Sequence, residues 1–134
     1  MKKMWVEQQH SLHSQRGISL FGLIFSLGVL ILLAIVAMKV VPTAIEYVSI
    51  KKAIIAAKNG GTTVAEIHKV FDKQAEVNYI TSIEGKDLIV TRNDGEIDVS
   101  FSYQKKIPLF GPASLLLEYE GTTAKNGYAP KKTE

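Results

Sequence analysis

The sequence predicts an α+β protein: an N-terminal transmembrane helix, then a small antiparallel sheet of three or four strands with helices packed on one face. Three observations predict this fold class. Residues 18–38 carry no charged side chain, the next segment has apolar residues at helical spacing, and residues beyond 88 alternate apolar and polar side chains. We divide the chain into a cytoplasmic basic leader (1–17), a transmembrane helix (18–38), an α+β domain (39–120) and a flexible tail (121–134).

The apolar run from Ile18 to Met38 has the length of a membrane span. Its 21 residues contain no charge, and its polar side chains are Ser19 and Ser26. As a helix the run would be about 32 Å long, at ~1.5 Å per residue, close to the ~30 Å of a bilayer core. The apolar core of a cleaved secretory signal is shorter, at ~7–15 residues. We therefore favour a span over a cleaved signal or a buried soluble helix.

Basic residues in the short leader predict the orientation of the span. Lys2, Lys3 and Arg16 precede it, against Glu7 alone. Under the positive-inside rule the N-terminus stays in the cytoplasm, and residues 39–134 lie on the far side of the membrane. Lys39 follows the run directly and can extend its ammonium group into the lipid headgroups.

The charge of the domain excludes some function classes. The chain has a net charge of +3, but residues 39–134 carry 13 basic and 12 acidic side chains, interspersed along the sequence. This pattern lacks the basic face that binds phosphates, so no nucleic-acid partner is expected. There is no cysteine, which excludes disulfides, thiolate metal sites and cysteine nucleophiles.

Two helices are predicted after the span. Pro42 should kink or briefly break the chain, and a helix should follow over residues 43–58 and end at Asn59–Gly61. The residues that should form the buried stripe of this helix are Tyr47, Ile50, Ile54 and Ala57. Thr63 and Glu66 have the spacing of a capping box, which starts a second helix. The apolar face of this second helix should consist of Val64, Ile67 and Phe71.

The remainder has the period of strands. Residues 88–92 and 96–104 flank Asn93-Asp94-Gly95, which predicts a hairpin. The alternation in the second strand places Asp98 and Ser100 on a solvent-facing side. A later strand is predicted around residues 115–119, and a short one over 77–83.

The segment 105–112 has two competing interpretations. Pro108 and Pro112 should exclude a regular ladder there. Leu109 and Phe110 either close the core, which we favour, or stay exposed as a partner contact. Lys105 and Lys106 before them would suit an acidic partner or anionic headgroups.

Two stretches resemble known families. The start of the apolar run, Arg16 to Gly22, resembles a type IV prepilin, which implies a processing site between Gly17 and Ile18. Gly22 stands where pilins carry a glutamate. Residues 15–120 resemble the proteobacterial "domain of unknown function 4845" family, which implies a small inner-membrane protein of Gram-negative bacteria without an established activity. The segments that carry this second resemblance are Val41-Pro42, Tyr47, Lys51-Lys52-Ala53, Tyr103, Ile107 to Gly111 and Leu115 to Glu118.

No constellation in the sequence predicts catalysis, a metal site or a cofactor. His10 and His13 lack the further ligands that a metal ion needs. We take His68 to be a surface or boundary residue and expect Glu66 and Asp72 to flank it on other faces of its helix, so no acid–base pair is predicted.

We expect a non-catalytic protein of the bacterial inner membrane with a periplasmic domain, a pilin-like accessory or envelope assembly factor. The alternative is a membrane-tethered periplasmic hydrolase or ligand-binding domain. Expected partners are the lipid bilayer and other envelope proteins. Gly22 and Ser26 have the spacing that lets a second copy of the helix approach closely, but we favour the alternative that they are lipid-facing packing residues.

Overall fold

The computed structural model describes Gly17 and residues 19–130. The predictions that concern the basic leader, the His10–His13 pair and Ile18 of the processing site lie outside the described residues. The chain divides into two compact units, Met1–Leu33 and Ala34–Glu134. In the first unit, the helical residues from Leu20 onward are all exposed. The elements of the described chain are the helices α1 (Leu20–Gly60) and α2 (Val64–Val77), a 3-10 turn (Gly85–Asp87), and the strands β1 (Ile89–Asn93), β2 (Glu96–Phe110) and β3 (Ala113–Thr122). The predicted α+β class is confirmed.

Helix α1 continues through Pro42, so of the two predicted outcomes, a kink or a brief break, the break is wrong. A proline inside a helix removes one backbone hydrogen bond. The turns after Pro42 are held by long-range contacts, because Ile50, Ile54 and Ala57 are buried against the rest of the domain. The hydroxyl of Thr43 also donates to the Val40 carbonyl at 2.7 Å, within the same turn. The predicted buried stripe and the end of the helix at Gly60 are confirmed.

Helix α2 begins with the predicted capping box. The Thr63 hydroxyl accepts from the Glu66 amide, and the Glu66 carboxylate accepts from the Thr63 amide. Ile67 and Phe71 are fully buried, but Val64 is exposed, and Ala75 takes the third place on the buried face. The helix extends to Val77, so the predicted strand over 77–83 is wrong.

The segment after α2 has no regular structure until the 3-10 turn at Gly85. Ile80 and Ile83 are both buried, and three-residue spacing does not fit the two-residue period of a strand. Tyr79 adopts a positive φ of 54°, which turns the chain out of α2. The segment therefore fills the core as a loop.

The sheet is antiparallel with the order β1-β2-β3. Asp94 and Gly95 join β1 to β2, both with positive φ, as predicted for an Asp-Gly hairpin turn. The prediction of a solvent-facing Asp98 and Ser100 is wrong, because both are buried. Lys58 pairs with Asp98 at 3.2 Å, and the hydroxyls of Ser100 and Thr122 lie 2.7 Å apart.

Strand β2 extends six residues beyond its predicted end at Gln104 and includes Pro108. Strand β1 pairs with β2 only up to Ser100, so the remaining length of β2 has one free edge. A strand with a free edge tolerates a proline whose nitrogen faces away from its partner. A register shift between Pro108 and Phe110 marks the irregularity. The prediction that the prolines exclude a ladder over 105–112 is therefore wrong.

Strand β3 begins at Ala113 and ends at Thr122, two residues inside the predicted tail. The next residue is also fixed to the sheet, since the Thr123 amide donates to the Val99 carbonyl at 2.9 Å. The core lies between the helices and one face of the sheet. Its buried members are Ile50, Ala53, Ile54, Ala57, Ile67, Phe71, Ala75, Ile80, Ile83, Leu88, Val99 and Phe101.

Candidate functional site

Among the described helices, α1 alone is long and apolar enough to cross a membrane. Its most apolar part is exposed, with no other described element to cover it. A helix that is apolar all round and exposed to water would be unfavourable, so this part of α1 requires an apolar surrounding. This supports membrane association.

Beyond the predicted span, α1 carries a second exposed apolar surface, which we call the outer face of α1. Its residues are Val41, Ala44, Ile45, Val48 and Ile55. The four larger side chains are between 50% and 63% exposed, while the opposite side of the helix is buried in the core. Together with Lys52 they follow spacings of four and three residues, which bring side chains to one face of a helix. A depression of about 400 Å³ on this face is lined by Val41, Ala44, Ile45, Val48, Ser49 and Lys52.

The sequence contained the signal for this surface. In the sequence, the larger residues of this face and Lys52 already follow one another at alternating intervals of four and three positions. From the sequence we assigned only the stripe that contains Tyr47 and Ile50, on the opposite side of the helix. One apolar face is enough for a helix that packs on a sheet, so the second face was not assigned. Only the structure shows that a single face of α1 is covered.

The tip of the β2–β3 hairpin brings together the predicted contact residues. Phe110 is 64% exposed and Leu109 is half-buried, so the favoured interpretation that both close the core is wrong for Phe110. The Lys39 ammonium donates to the Pro108 carbonyl at 2.7 Å and to the Leu109 carbonyl at 3.4 Å. The hairpin tip therefore lies beside the first charged residue after the apolar run.

A polar cluster that the sequence analysis missed joins α1 to the loop after α2. The Glu46 carboxylate accepts from the Thr81 amide at 2.6 Å, from the Ser82 amide at 2.8 Å and from the Ser82 hydroxyl at 2.8 Å. The Lys105 ammonium donates to the Ser82 hydroxyl at 3.1 Å. In the sequence, Glu46 is the one carboxylate between Lys39 and Lys58, which could have marked it.

The chemistry of this cluster suits a structural clamp. Burial would raise the pKa of Glu46, but the hydrogen bonds from Thr81 and Ser82 and the charge of Lys105 lower it below its ordinary value of 4.5. Such a carboxylate is a weak base for a serine hydroxyl. Its oxygens are also engaged by backbone amides, which fixes the loop against α1.

An aromatic cluster lies next to this clamp. Tyr47 stacks on Tyr119 with ring centroids 5.1 Å apart, and Tyr103 lies 5.4 Å from Tyr119 and 6.0 Å from Phe101. The Tyr103 hydroxyl is buried without a hydrogen-bond partner among the described residues. Burial, and then the charge of Glu46, raise the pKa of this hydroxyl well above its ordinary value of 10. The hydroxyl therefore stays neutral.

The carboxylates near His68 are committed to local structure. Asp72 accepts from the Gly85 amide at 2.6 Å, and Glu66 accepts from the Thr62 amide at 2.8 Å. His68 is half-buried, as expected for a boundary residue, and its Nε2 has no partner among the described residues. Within residues 19–130, no group of three His, Asp or Glu side chains has the geometry to hold a metal ion.

The turn between β1 and β2 gathers several acidic residues beside a depression of about 390 Å³. Asp98 pairs with Lys58 at 3.2 Å, and Glu96 pairs with Lys125 at 3.6 Å. These pairs neutralise two of the carboxylates that line the depression. The outer face of α1 and the hairpin tip are two exposed apolar surfaces that the described residues of the domain do not cover.

The comparisons agree with the resemblance noted in the sequence. The model of the family described as "Domain of unknown function (DUF4845)" matches residues 39–119, which is more than half of the chain. No curated protein and no solved structure matches the chain. The matched region begins at Lys39 and ends in β3, so it contains both exposed apolar surfaces.

Proposed function

Because the chain belongs to the DUF4845 family, which is described only as a domain of unknown function, we propose its function from the geometry. The protein is a single-pass inner-membrane protein whose periplasmic domain works by contact with another envelope protein, as a pilin-like accessory or assembly factor. The contact surface is the outer face of α1. The exposure of its apolar side chains is the observation that carries this proposal.

The orientation is supported by charge. The short leader holds Lys2, Lys3 and Arg16, and the residues of the span hold no charge. This distribution keeps the leader in the cytoplasm and the domain in the periplasm of a Gram-negative cell. The long α1 with an antiparallel sheet after it, and the prepilin-like start of the chain, support a pilin-like architecture.

The partner follows from the position and spacing of the outer face. Val41 lies two residues after Lys39, so the face begins where the span ends. A helix of a second protein that leaves the same membrane would meet this face along its length. Side chains at spacings of three and four residues pack against such a helix as in helix-in-groove and coiled-coil contacts.

The charge of Lys52 distinguishes between two kinds of partner, a second copy of this chain and a different envelope protein. It lies in the outer face between Val48 and Ile55 and is exposed. In a parallel dimer of this chain, in register, two Lys52 side chains would face each other, and like charges at such positions are unfavourable. We therefore favour a different envelope protein that presents an apolar helix with a carboxylate opposite Lys52.

Photocrosslinking in native membranes tests this contact. A benzoylphenylalanine at position 48 of the full chain should form an adduct with one other membrane protein. The same probe at Gln104, which is exposed on the other side of the sheet, should form none. Ile45→Asp should abolish the adduct at unchanged melting temperature, and Lys52→Glu should reduce it. Equal adducts at both positions, or none at position 48, would contradict the proposal, and an adduct of two copies would replace the partner by a second copy.

Two further experiments test the anchoring. Alkaline phosphatase fused after Glu134 should be active, whereas an inactive fusion together with a fluorescent cytoplasmic reporter would reverse the orientation. N-terminal sequencing of the membrane-extracted protein tests the processing site. A first residue of Ile18 would show prepilin-type cleavage, and an intact Met1 would rule it out.

A further inference from the structure

We infer that the tip of the β2–β3 hairpin is a second membrane contact, which inserts Phe110 into the interface of the bilayer that holds α1 and binds anionic lipid headgroups. The tip consists of Leu109, Phe110, Gly111 and Pro112. This inference rests on the proposed membrane anchoring, but it assigns a lipid ligand to residues that the protein contact through the outer face of α1 does not use.

Hydrogen bonds from three residues of α1 to the hairpin set the direction of the tip. The Tyr47 hydroxyl donates to the Glu120 carbonyl at 3.0 Å, and the hydroxyls of Thr43 and Tyr119 lie 2.8 Å apart. Lys39 bonds the Pro108 carbonyl at 2.7 Å. Along α1 these contacts run from residue 47 back to residue 39, so the hairpin points back along α1 toward Met38, the last residue of the apolar run.

The tip extends further in the same direction. Phe110 lies two residues beyond Pro108, and a strand rises ~3.3 Å per residue, so Phe110 reaches up to about 7 Å past the Lys39 contact. Lys39 is the first charged residue after the apolar run, where a lysine places its ammonium at headgroup level. The aromatic ring of Phe110 is thus at the depth of the interface, where amphipathic and aromatic side chains collect.

The charge of this end of the domain suits an anionic surface. Residues 34–45 and 105–117 contain Lys39, Lys105 and Lys106 and no acidic residue. Lys105 is held by Ser82 and Lys39 by the Pro108 carbonyl, so Lys106 is the side chain left to bind headgroups, while the charge of Lys39 adds to the positive potential of this end. Each basic residue close to an anionic membrane adds only a small attraction, so the charge alone gives a weak contact and the apolar tip has to add to it.

The tip is also ordered before it binds. Gly111 takes a positive φ of 52°, Pro112 has a fixed φ, and Lys39 holds the chain at Pro108. A contact that needs no ordering of the loop loses less entropy on binding. Phe110 is 64% exposed without a lipid or partner, and its transfer into the interface removes that apolar surface from water.

Tryptophan fluorescence in vesicles tests the inference on the full chain. Trp5 is the single tryptophan, so all variants carry Trp5→Phe. Phe110→Trp reports the tip, and Phe25→Trp reports the span. Tyr128→Trp is the matched control, since Tyr128 is 80% exposed and lines a depression with Thr91 and Ser100, far from the tip along the sheet. The protein is reconstituted in phosphatidylcholine vesicles with and without phosphatidylglycerol, some with brominated acyl chains.

The expected result is a blue-shifted emission at position 110, with quenching by brominated lipid several-fold stronger than at position 128. Phosphatidylglycerol should strengthen the quenching, and Lys106→Gln should weaken that increase. Quenching at position 25 without quenching at position 110 overturns the inference and leaves the anchoring intact. Absence of quenching at position 25 overturns both. A blue shift at position 110 that is not quenched by brominated lipid would assign the tip to a protein contact instead.

Discussion

Phe101→Ala and Phe110→Ala remove the same side chain from the same strand, nine residues apart, and their stability effects should differ strongly. Phe101 is fully buried, with its ring over Gly121 and against Tyr47 and Tyr103. Phe110 is 64% exposed and has the bulge of β2 beside it. The pair therefore tests whether the hairpin tip closes the core or is presented to the surroundings.

The magnitudes follow from burial. Truncation of a buried phenylalanine costs about 3–5 kcal/mol, the value expected for Phe101. For Phe110 about a third of the side chain is covered, roughly 70 Å² of the ~200 Å² that a phenylalanine can bury. At ~25 cal/mol per Å² this corresponds to an upper limit of about 2 kcal/mol, because the unfolded chain already buries part of that area.

Thermal unfolding of the full chain in detergent micelles, followed by near-ultraviolet circular dichroism of the tyrosines, measures both effects. For a domain of this size 1 kcal/mol shifts the Tm by about 4–8 °C. At the lower figure of about 4 °C per kcal/mol, Phe101→Ala should lower the Tm by at least about 12 °C, and Phe110→Ala by at most about 8 °C. Equal losses of stability would show that Phe110 closes the core. That outcome would refute both the exposure of the tip and its proposed contact with lipid.

Three further substitutions test individual contacts. Glu46→Gln should reduce stability at neutral pH by about 1–2 kcal/mol after allowance for solvent screening. Because the folded pKa of Glu46 lies below its ordinary value of 4.5, its stabilisation is present above that value and is lost as the pH falls through the folded pKa. The difference between the two proteins in urea titrations should therefore vanish in acid, and a constant difference would contradict the clamp. Gly121→Val should destabilise the sheet by about 1–3 kcal/mol, because an added Cβ would lie 2.6 Å from the Phe101 ring, and an unchanged Tm would count against this packing. Thr63→Ala should cost about 1 kcal/mol in urea unfolding, while Thr63→Ser should cost much less, and equal losses would argue against the cap.

The sequence by itself determined the features that depend on near neighbours in the chain. The capping box of Thr63 and Glu66 and the Asp94-Gly95 turn are local patterns whose hydrogen bonds and φ values involve residues at most four positions apart. The buried side of α1 followed from its helical period. The family resemblance, too, was visible in short motifs, and the match over residues 39–119 confirms it.

The tertiary structure decided the features that depend on which distant segments meet. Pro108 fits in β2 because β1 is short and leaves that edge free, a property of the sheet and not of the proline. Asp98 and Ser100 are buried because Lys58 and Thr122 reach them from elsewhere in the chain. In each case the sequence pattern described the local chain correctly. A segment distant in sequence then decided whether the residue fits in a strand or is buried.

The same distinction applies to the candidate surfaces. From the sequence we singled out Leu109 and Phe110 and favoured the core for both. For Phe110 this was wrong, because the choice between core and contact depends on where the hairpin tip lies. The bond from Lys39 to the Pro108 carbonyl, across about seventy residues of chain, places the tip beside the end of the apolar run. The outer face of α1 is likewise exposed only because the sheet covers the other side of the helix. Side-chain spacing can show that a helix has two apolar faces, but only the packed fold decides which face is left for a partner.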